Sequence, residues 1–290
     1  EHKNKKCFLK FSLGKDNSKL KYLKPITLDL PAGYFCTFAG ACKTLANRHG
    51  KHFKSTGTRL MRLGKFDCYA AKTEVYQDEV RDKRWKNADL ILPIINNRQK
   101  LFTLLEESIE YFEFNFGKIS TFRLHESGDF KTQAYFDAWM DYAKSRPDIF
   151  FYGYTTSIPY WLDYKKREVM PFNVNLIASD DTSAKEELDS PEGRKLRRSY
   201  IVKSIEEARK KGLKIDTNEI YAAFYDGDIA LLLHGRQPGE LYKIAEKNKR
   251  ASNLLNRIRN KNINLKTVKF LMNSYIKHKK KSIEDIKGVN

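Results

Sequence analysis

Three cysteines carry the most distinctive chemistry in the chain. Cys36 and Cys42 are separated by five residues in Tyr34-Phe35-Cys36-Thr37-Phe38-Ala39-Gly40-Ala41-Cys42, and Cys68 follows after 25 further intervening residues in Phe66-Asp67-Cys68-Tyr69-Ala70. Thiolates from one Gly-containing loop, with His49 and His52 between them, form a soft donor set. A fourth protein ligand would close a structural zinc site, whereas an open fourth position would suit an iron–sulfur cluster that takes an outside ligand. No Cys-x2-Cys pair is present, so the competing reading is three buried thiols packing as small apolar groups. Cys7 stands apart from the set and is given no role.

Three further clusters combine titratable and turn-forming residues. In His125-Glu126-Ser127-Gly128-Asp129-Phe130, Gly128 permits a sharp turn, and Ser127 or Asp129 could cap a following helix. Two acids and a histidine exceed what a cap needs. Glu126 and Asp129 are candidates for acid–base work or for binding a cationic or hydroxyl group. Asp180 and Asp181 follow Ser179, where paired acids could hold a metal or a ribose or simply begin a helix. His234-Gly235-Arg236 supplies an imidazole and a guanidinium, the latter suited to phosphate or carboxylate. The chain contains no P-loop, GxGxxG, GxSxG or HExxH, so dinucleotide redox chemistry and serine hydrolysis lack support.

The elements that position these clusters alternate. A basic strand region over residues 1–30 leads into a long loop over 32–68, and helical periodicity runs from Tyr69 to about Phe116 with Pro93 dividing it. Strands are then expected over Ile119–Leu124, Ile149–Tyr154, Asn173–Ala178, Ser199–Val202 and Ile229–Leu233, with helices or helical stretches between most of them. This order predicts an α/β protein with a parallel sheet of βα units, open or closed into a barrel, partial or complete. In such folds sites lie at the carboxyl ends of strands. Polar clusters end four strands here, at 125–130, 155–157, 179–181 and 234–237, and are expected to converge on one mouth with the cysteine loop at its rim.

Composition gives the third line of argument. Lys and Arg number 55 against 36 acids, a formal charge of +19 with a pI near 9.6. Residues 241–290 hold fourteen Lys and Arg against three acids and read as a basic helical tail beyond a domain spanning 1–240. A surplus of this size favours polyanions, so nucleic acid, DNA or RNA, is the expected partner. Arg236, Lys277, Lys279, Lys280 and Lys281 are the expected phosphate contacts. No apolar run is long enough for a membrane span and no signal peptide is evident, which points to the cytoplasm.

The run from Phe122 to Phe130, then Tyr135-Phe136-Asp137-Ala138-Trp139 and Phe151 to Trp161, resembles the phage gene product 88 family. The segments Cys68-Tyr69-Ala70 and Leu233-His234-Gly235 resemble it too. The resemblance covers about residues 25–240 and implies phage origin, hence the host cytoplasm, for a family of unassigned function. A more distant likeness is to the radical S-adenosylmethionine barrel, in which three cysteines of an N-terminal loop precede a Gly-Gly-Glu-Pro turn after the second strand. It implies a [4Fe–4S] cluster on Cys36, Cys42 and Cys68. S-adenosylmethionine would then contact Ser127, Gly128, Asp129, Thr155 and Asp180, with Glu126, Asp129 and His234 at the reacting centre. The rivals are a base transglycosylase or nuclease using Glu126 and Asp129, and a DNA- or RNA-binding protein with a zinc-pinned loop.

Overall fold

A computed structural model describes residues 7–14, 20, 22–49, 60–235, 237–259, 263 and 265–287. Its strands are β1 (Phe11–Leu13), β2 (Ile26–Leu28), β3 (Thr44–Ala46), β4 (Leu60–Arg62), β5 (Thr121–Leu124), β6 (Phe150–Thr155), β7 (Val174–Ser179), β8 (Arg198–Val202), β9 (Lys214–Ile215) and β10 (Ile229–Leu232). The helices are α1 (Tyr69–Tyr76), α2 (Asp78–Ile91), α3 (Arg98–Phe116), α4 (Gln133–Ser145), α5 (Ile158–Arg167), α6 (Lys185–Asp189), α7 (Ile205–Lys210), α8 (Ile220–Phe224), α9 (Glu240–Arg259) and α10 (Leu265–Lys287).

Eight strands form one sheet in the order β1-β2-β5-β6-β7-β8-β10-β9. β1 pairs antiparallel with β2, and every other pair in this sheet is parallel. From β2 through β5, β6, β7 and β8 the spatial order follows the chain order, whereas β10 inserts between β8 and β9, so the last connection steps back. The sheet is open at both edges, with β1 and β9 outermost. β3 and β4 form a separate antiparallel hairpin inside the long 32–68 loop. Three-residue strands leave too short an alternation to be read from sequence.

The period of two along the strands sorts side chains between two layers. Phe122, Leu124, Phe151, Val174, Leu176 and Ala178 point to one face and pack with α2, α3, α4 and α5. In α3, Leu101, Leu105 and Ile109 supply the buried stripe at every fourth residue, and the Asn97 side chain caps the helix by accepting from the Lys100 amide at 3.0 Å. On the other face, Phe150, Tyr152 and Ile177 pack with α8 and with Val268 and Tyr275 of α10. The Tyr275 ring stands 5.6 Å from Phe150, edge to face. The basic tail therefore helps cover the inner face of the sheet, at the amino-terminal half of its strands. Helix α9 packs its Ala251 and Leu255 on the β8–β10 edge, and Asn248 donates to the Leu233 carbonyl at 2.9 Å. Among the described residues no helix is long and apolar enough to cross a membrane.

Candidate functional site

Above the packed inner face lies a cavity of about 500 Å³, within the size range of small-molecule sites. Arg123 of β5, Tyr154 of β6, Ser179 of β7, Ser199 of β8 and Leu231 of β10 line it, together with the turns that follow these strands and all three loop cysteines. The expected convergence on the carboxyl edge is therefore present. Parallel strands end on the same side, so each following turn opens onto one mouth.

The cysteine loop is fixed over this mouth by the turn after β7. Asp181 accepts the Ala41 amide at 2.6 Å and the Cys42 amide at 3.0 Å on its two carboxylate oxygens. The Gly40 amide donates to the Asp181 carbonyl at 3.0 Å, and Ala39 bridges Thr182. A side chain on Gly40 would meet that carbonyl at 2.9 Å, so the approach requires glycine. Thr44 joins the distant halves of the loop. Its buried hydroxyl donates to the Cys42 carbonyl at 3.1 Å and accepts the Cys68 amide at 3.1 Å. Below, Glu74 accepts the Ala32 amide at 2.8 Å and pairs with Arg84 at 2.9 Å.

Burial pushes the Cys36 and Cys42 thiols well up, and each thiol is raised further by charge on neighbouring acids and on Cys68. Burial also raises Cys68, opposed by the first-turn amides of α1 and by Arg84. Among the described residues, no group of three or more His, Cys, Asp or Glu is arranged to hold a metal ion. The three thiols thus line one cavity and feel one another's charge without gathering round a single point. His49 lies in the loop with its amide on Asn47, and His52 and Arg236 fall outside the described residues.

At the end of β5, His125 adopts a left-handed backbone (φ 57°), and Gly128 (φ 82°) turns the chain so closely onto Leu30 that a side chain would collide. Burial lowers the His125 pKa to about 3, so the ring stays neutral, and its Nε2 lies 3.0 Å from the Tyr135 hydroxyl. Ser127 donates to the Leu30 carbonyl at 2.8 Å. Asp129 is committed to structure. Its carboxylate accepts the Phe130 amide, the Thr155 hydroxyl, and both the amide and hydroxyl of Thr156, at 2.7–2.8 Å. Four bonds fill the acceptor capacity of a carboxylate. Asp129 and Thr155 therefore clamp the ends of β5 and β6 together, and the expected catalytic or cofactor-binding use of Asp129 gives way to this role. Neither Ser127 nor Asp129 caps the next helix; Thr132 does, accepting from the Tyr135 amide at 3.3 Å.

Glu126 lines the cavity, and burial raises its pKa. His234 lines it too, with Nδ1 3.0 Å from the Leu232 carbonyl and its ring 5.5 Å from that of Tyr69. Asp180 does not line it. It pairs with Lys185 at 3.1 Å and lies 3.8 Å from Arg198, while its neighbour Asp181 faces the cavity. Of Lys277, Lys279, Lys280 and Lys281 on α10, three are exposed. Lys279 reaches Asp226 at 3.4 Å, and Lys280 sits over the Phe172 ring.

A buried polar group in the cavity wall lies outside the clusters that the sequence marks. The Arg123 Nε donates to both oxygens of Glu219, at 3.0 and 2.8 Å, and the Tyr152 hydroxyl donates to Glu219 at 2.8 Å. Glu219 itself is left-handed (φ 61°). Beside it, burial and the Glu219 charge push Asp216 up to about 6. Arg123 was findable, because a cation inside the apolar Phe122-Arg123-Leu124 must face inward if its neighbours face out. Asp216 and Glu219 follow a two-residue strand and carry no periodic signal.

Fold and site define an α/β protein with an open, mostly parallel sheet and an acid- and thiol-lined cavity at its carboxyl edge. The gene product 88 family model matches residues 3–255, and the chain belongs to this phage family. No curated protein and no solved structure gives a significant match.

Proposed function

We propose that this protein is an iron–sulfur enzyme of the radical S-adenosylmethionine type that acts on nucleic acid. The observation that carries the reading is that Cys36, Cys42 and Cys68, all from the loop after the first parallel strand, line one cavity at the carboxyl ends of parallel strands. In support, β2, β5, β6, β7 and β8 lie side by side in chain order, the winding that a partial barrel would use. A doubly wound sheet would reverse its order at a switch point.

The donors are thiols, as iron–sulfur clusters require, and all three line one cavity, although among the described residues they are not gathered into a ready-made metal site. When bound, a reduced [4Fe–4S] cluster supplies one electron to a sulfonium cofactor. Cys36, Cys42 and Cys68 would hold it, with the fourth position left to S-adenosylmethionine. Arg84 and Arg123 are each paired with a glutamate, so Glu126, Asp181 and Asp216 leave the wall acidic, which favours a cationic ligand. Glu126, with Asp129 already occupied, is the acceptor for its amino group. Lys277, Lys280 and Lys281 on α10 and the overall charge of +19 support a polyanionic substrate.

Anaerobic purification with iron and sulfide reconstitution tests the reading. Iron and acid-labile sulfide in equal amounts, with reductive cleavage of S-adenosylmethionine, are expected. Zinc alone, or a folded protein that retains neither metal nor sulfide, would overturn it.

A further inference from the structure

Beyond the cysteine loop, the cavity wall has a polar stretch that the cluster does not use. Arg123, His125 and Thr217 all line the cavity, and each keeps a buried atom without a protein partner: Nη1, Nδ1 and Oγ1 respectively. An unsatisfied buried donor or acceptor costs about 1–3 kcal/mol, so three in one wall mark a place completed by something bound.

The charge balance says what it is not. Glu219 neutralises Arg123, and Glu126 and Asp216 stand in the same wall. A phosphate or carboxylate placed there would meet no unpaired positive charge. The hydrogen-bonding character says what it is. A guanidinium only donates, so its partner must be an acceptor such as a carbonyl. The Asp216 carboxylate takes the Ala222 amide at 2.8 Å and the Asn218 amide at 3.2 Å, and it is met only loosely, at 3.5 Å, by the Tyr154 hydroxyl, whose place an adjacent N–H can take. Tyr69 and Tyr154 add flat aromatic surfaces to the same cavity.

We propose that Arg123, Asp216 and Thr217 form a subsite for a lactam nucleobase, whose carbonyl and neighbouring ring N–H complement this donor and acceptor. Guanine, hypoxanthine, uracil and thymine carry that edge; adenine does not. The proposal rests on reading the cavity as the reaction site, and it names the substrate class. The base arrives either as a free nucleoside or extruded from a polynucleotide held by the basic surface.

Calorimetric titration of the full chain with guanosine, uridine, adenosine and inorganic phosphate tests it, alongside short G- or U-containing and all-A single strands. Guanosine or uridine should bind at least tenfold more tightly than adenosine, and phosphate should not compete. Thr217→Val removes an unpartnered hydroxyl without changing shape. It should weaken the favoured nucleoside about tenfold while leaving the melting temperature unchanged or higher. Much tighter binding of a G- or U-containing strand than of the nucleoside would assign the base to a polynucleotide, and equal binding to a free nucleoside; both uphold the subsite. Equal affinity for adenosine, competition by phosphate, no nucleoside binding, or an unaffected Thr217→Val variant would overturn it. Iron and sulfide are assayed separately, so failure of the cluster reading and failure of the subsite give different results.

Discussion

The carboxylate of Asp181 accepts the backbone N–H of Cys42 at 3.0 Å, joining residues 139 positions apart. With the Ala41 amide on its other oxygen, this contact sets the cysteine loop against the carboxyl edge of β7. Placement of Cys42 therefore depends on an acid outside the loop. Asp181→Ala should speed amide exchange over residues 39–44 and lower iron content. Global stability should fall by only about 2 kcal/mol, because the contact is half-buried and peripheral to the core. Unchanged exchange in that segment would show that the hairpin alone holds the loop.

The three loop thiols should act as one ligand set. Single changes of Cys36, Cys42 or Cys68 to Ser should each abolish bound iron and sulfide, whereas Cys7→Ser, at an exposed position, should leave both intact. Full metal content in any one of the three variants would break the set.

Breaking the buried Arg123–Glu219 pair should be costly. Glu219→Ala leaves a guanidinium uncompensated in the wall and strips Tyr152 of its acceptor. A loss of about 3–5 kcal/mol in urea unfolding is expected. A loss under 1 kcal/mol would mean that water reaches Arg123 readily.

Asp216 predicts a pH dependence of opposite sign to that of a salt-bridged carboxylate. Its folded pKa of about 6 lies above the value near 3.9 of an unfolded aspartate. Below about pH 4 the group is neutral in both states and contributes nothing. Between about pH 4 and 6 the unfolded chain ionises first, so stability falls by about 3 kcal/mol, and the loss is complete above that window. Asp216→Asn should remove this slope. Parallel stability curves for the two proteins across pH 4–7 would refute it.

Changing Lys277, Lys280 and Lys281 together to Gln should weaken nucleic-acid binding and flatten its salt dependence by about three units of slope at most. Deleting α10 is the poorer test, because Val268 and Tyr275 cover Phe150 and Ile177 on the inner face. Filter binding at several salt concentrations would show it. An unchanged slope would place the contacts elsewhere.

Much of the frame was legible in the sequence. Apolar runs such as Phe150-Phe151-Tyr152 and Val174-Asn175-Leu176-Ile177 could only be buried strands. The polar turns after them had to share an edge once the strands were parallel, because that constraint is local and repeats in every βα unit. The surplus of Lys and Arg in the tail was likewise fixed by composition, but its packing was not.

Only the tertiary structure decided how the acids are used. Asp129 and Asp180 have the residue type and position of site residues, yet Asp129 is consumed by the Thr155–Thr156 clamp and Asp180 by Lys185. Asp181, one residue on, took over the anchoring of the cysteine loop. Successive residues point in different directions, and a hydrogen-bond partner 26 or 139 positions away leaves no trace in local spacing. The same holds for Thr44, whose hydroxyl brings Cys42 and Cys68 together across 25 intervening residues. Periodicity and composition act along the chain and can be read from it. Which polar atom satisfies which is settled only when distant segments are desolvated against one another, and each buried donor must then find the acceptor that folding brings to it.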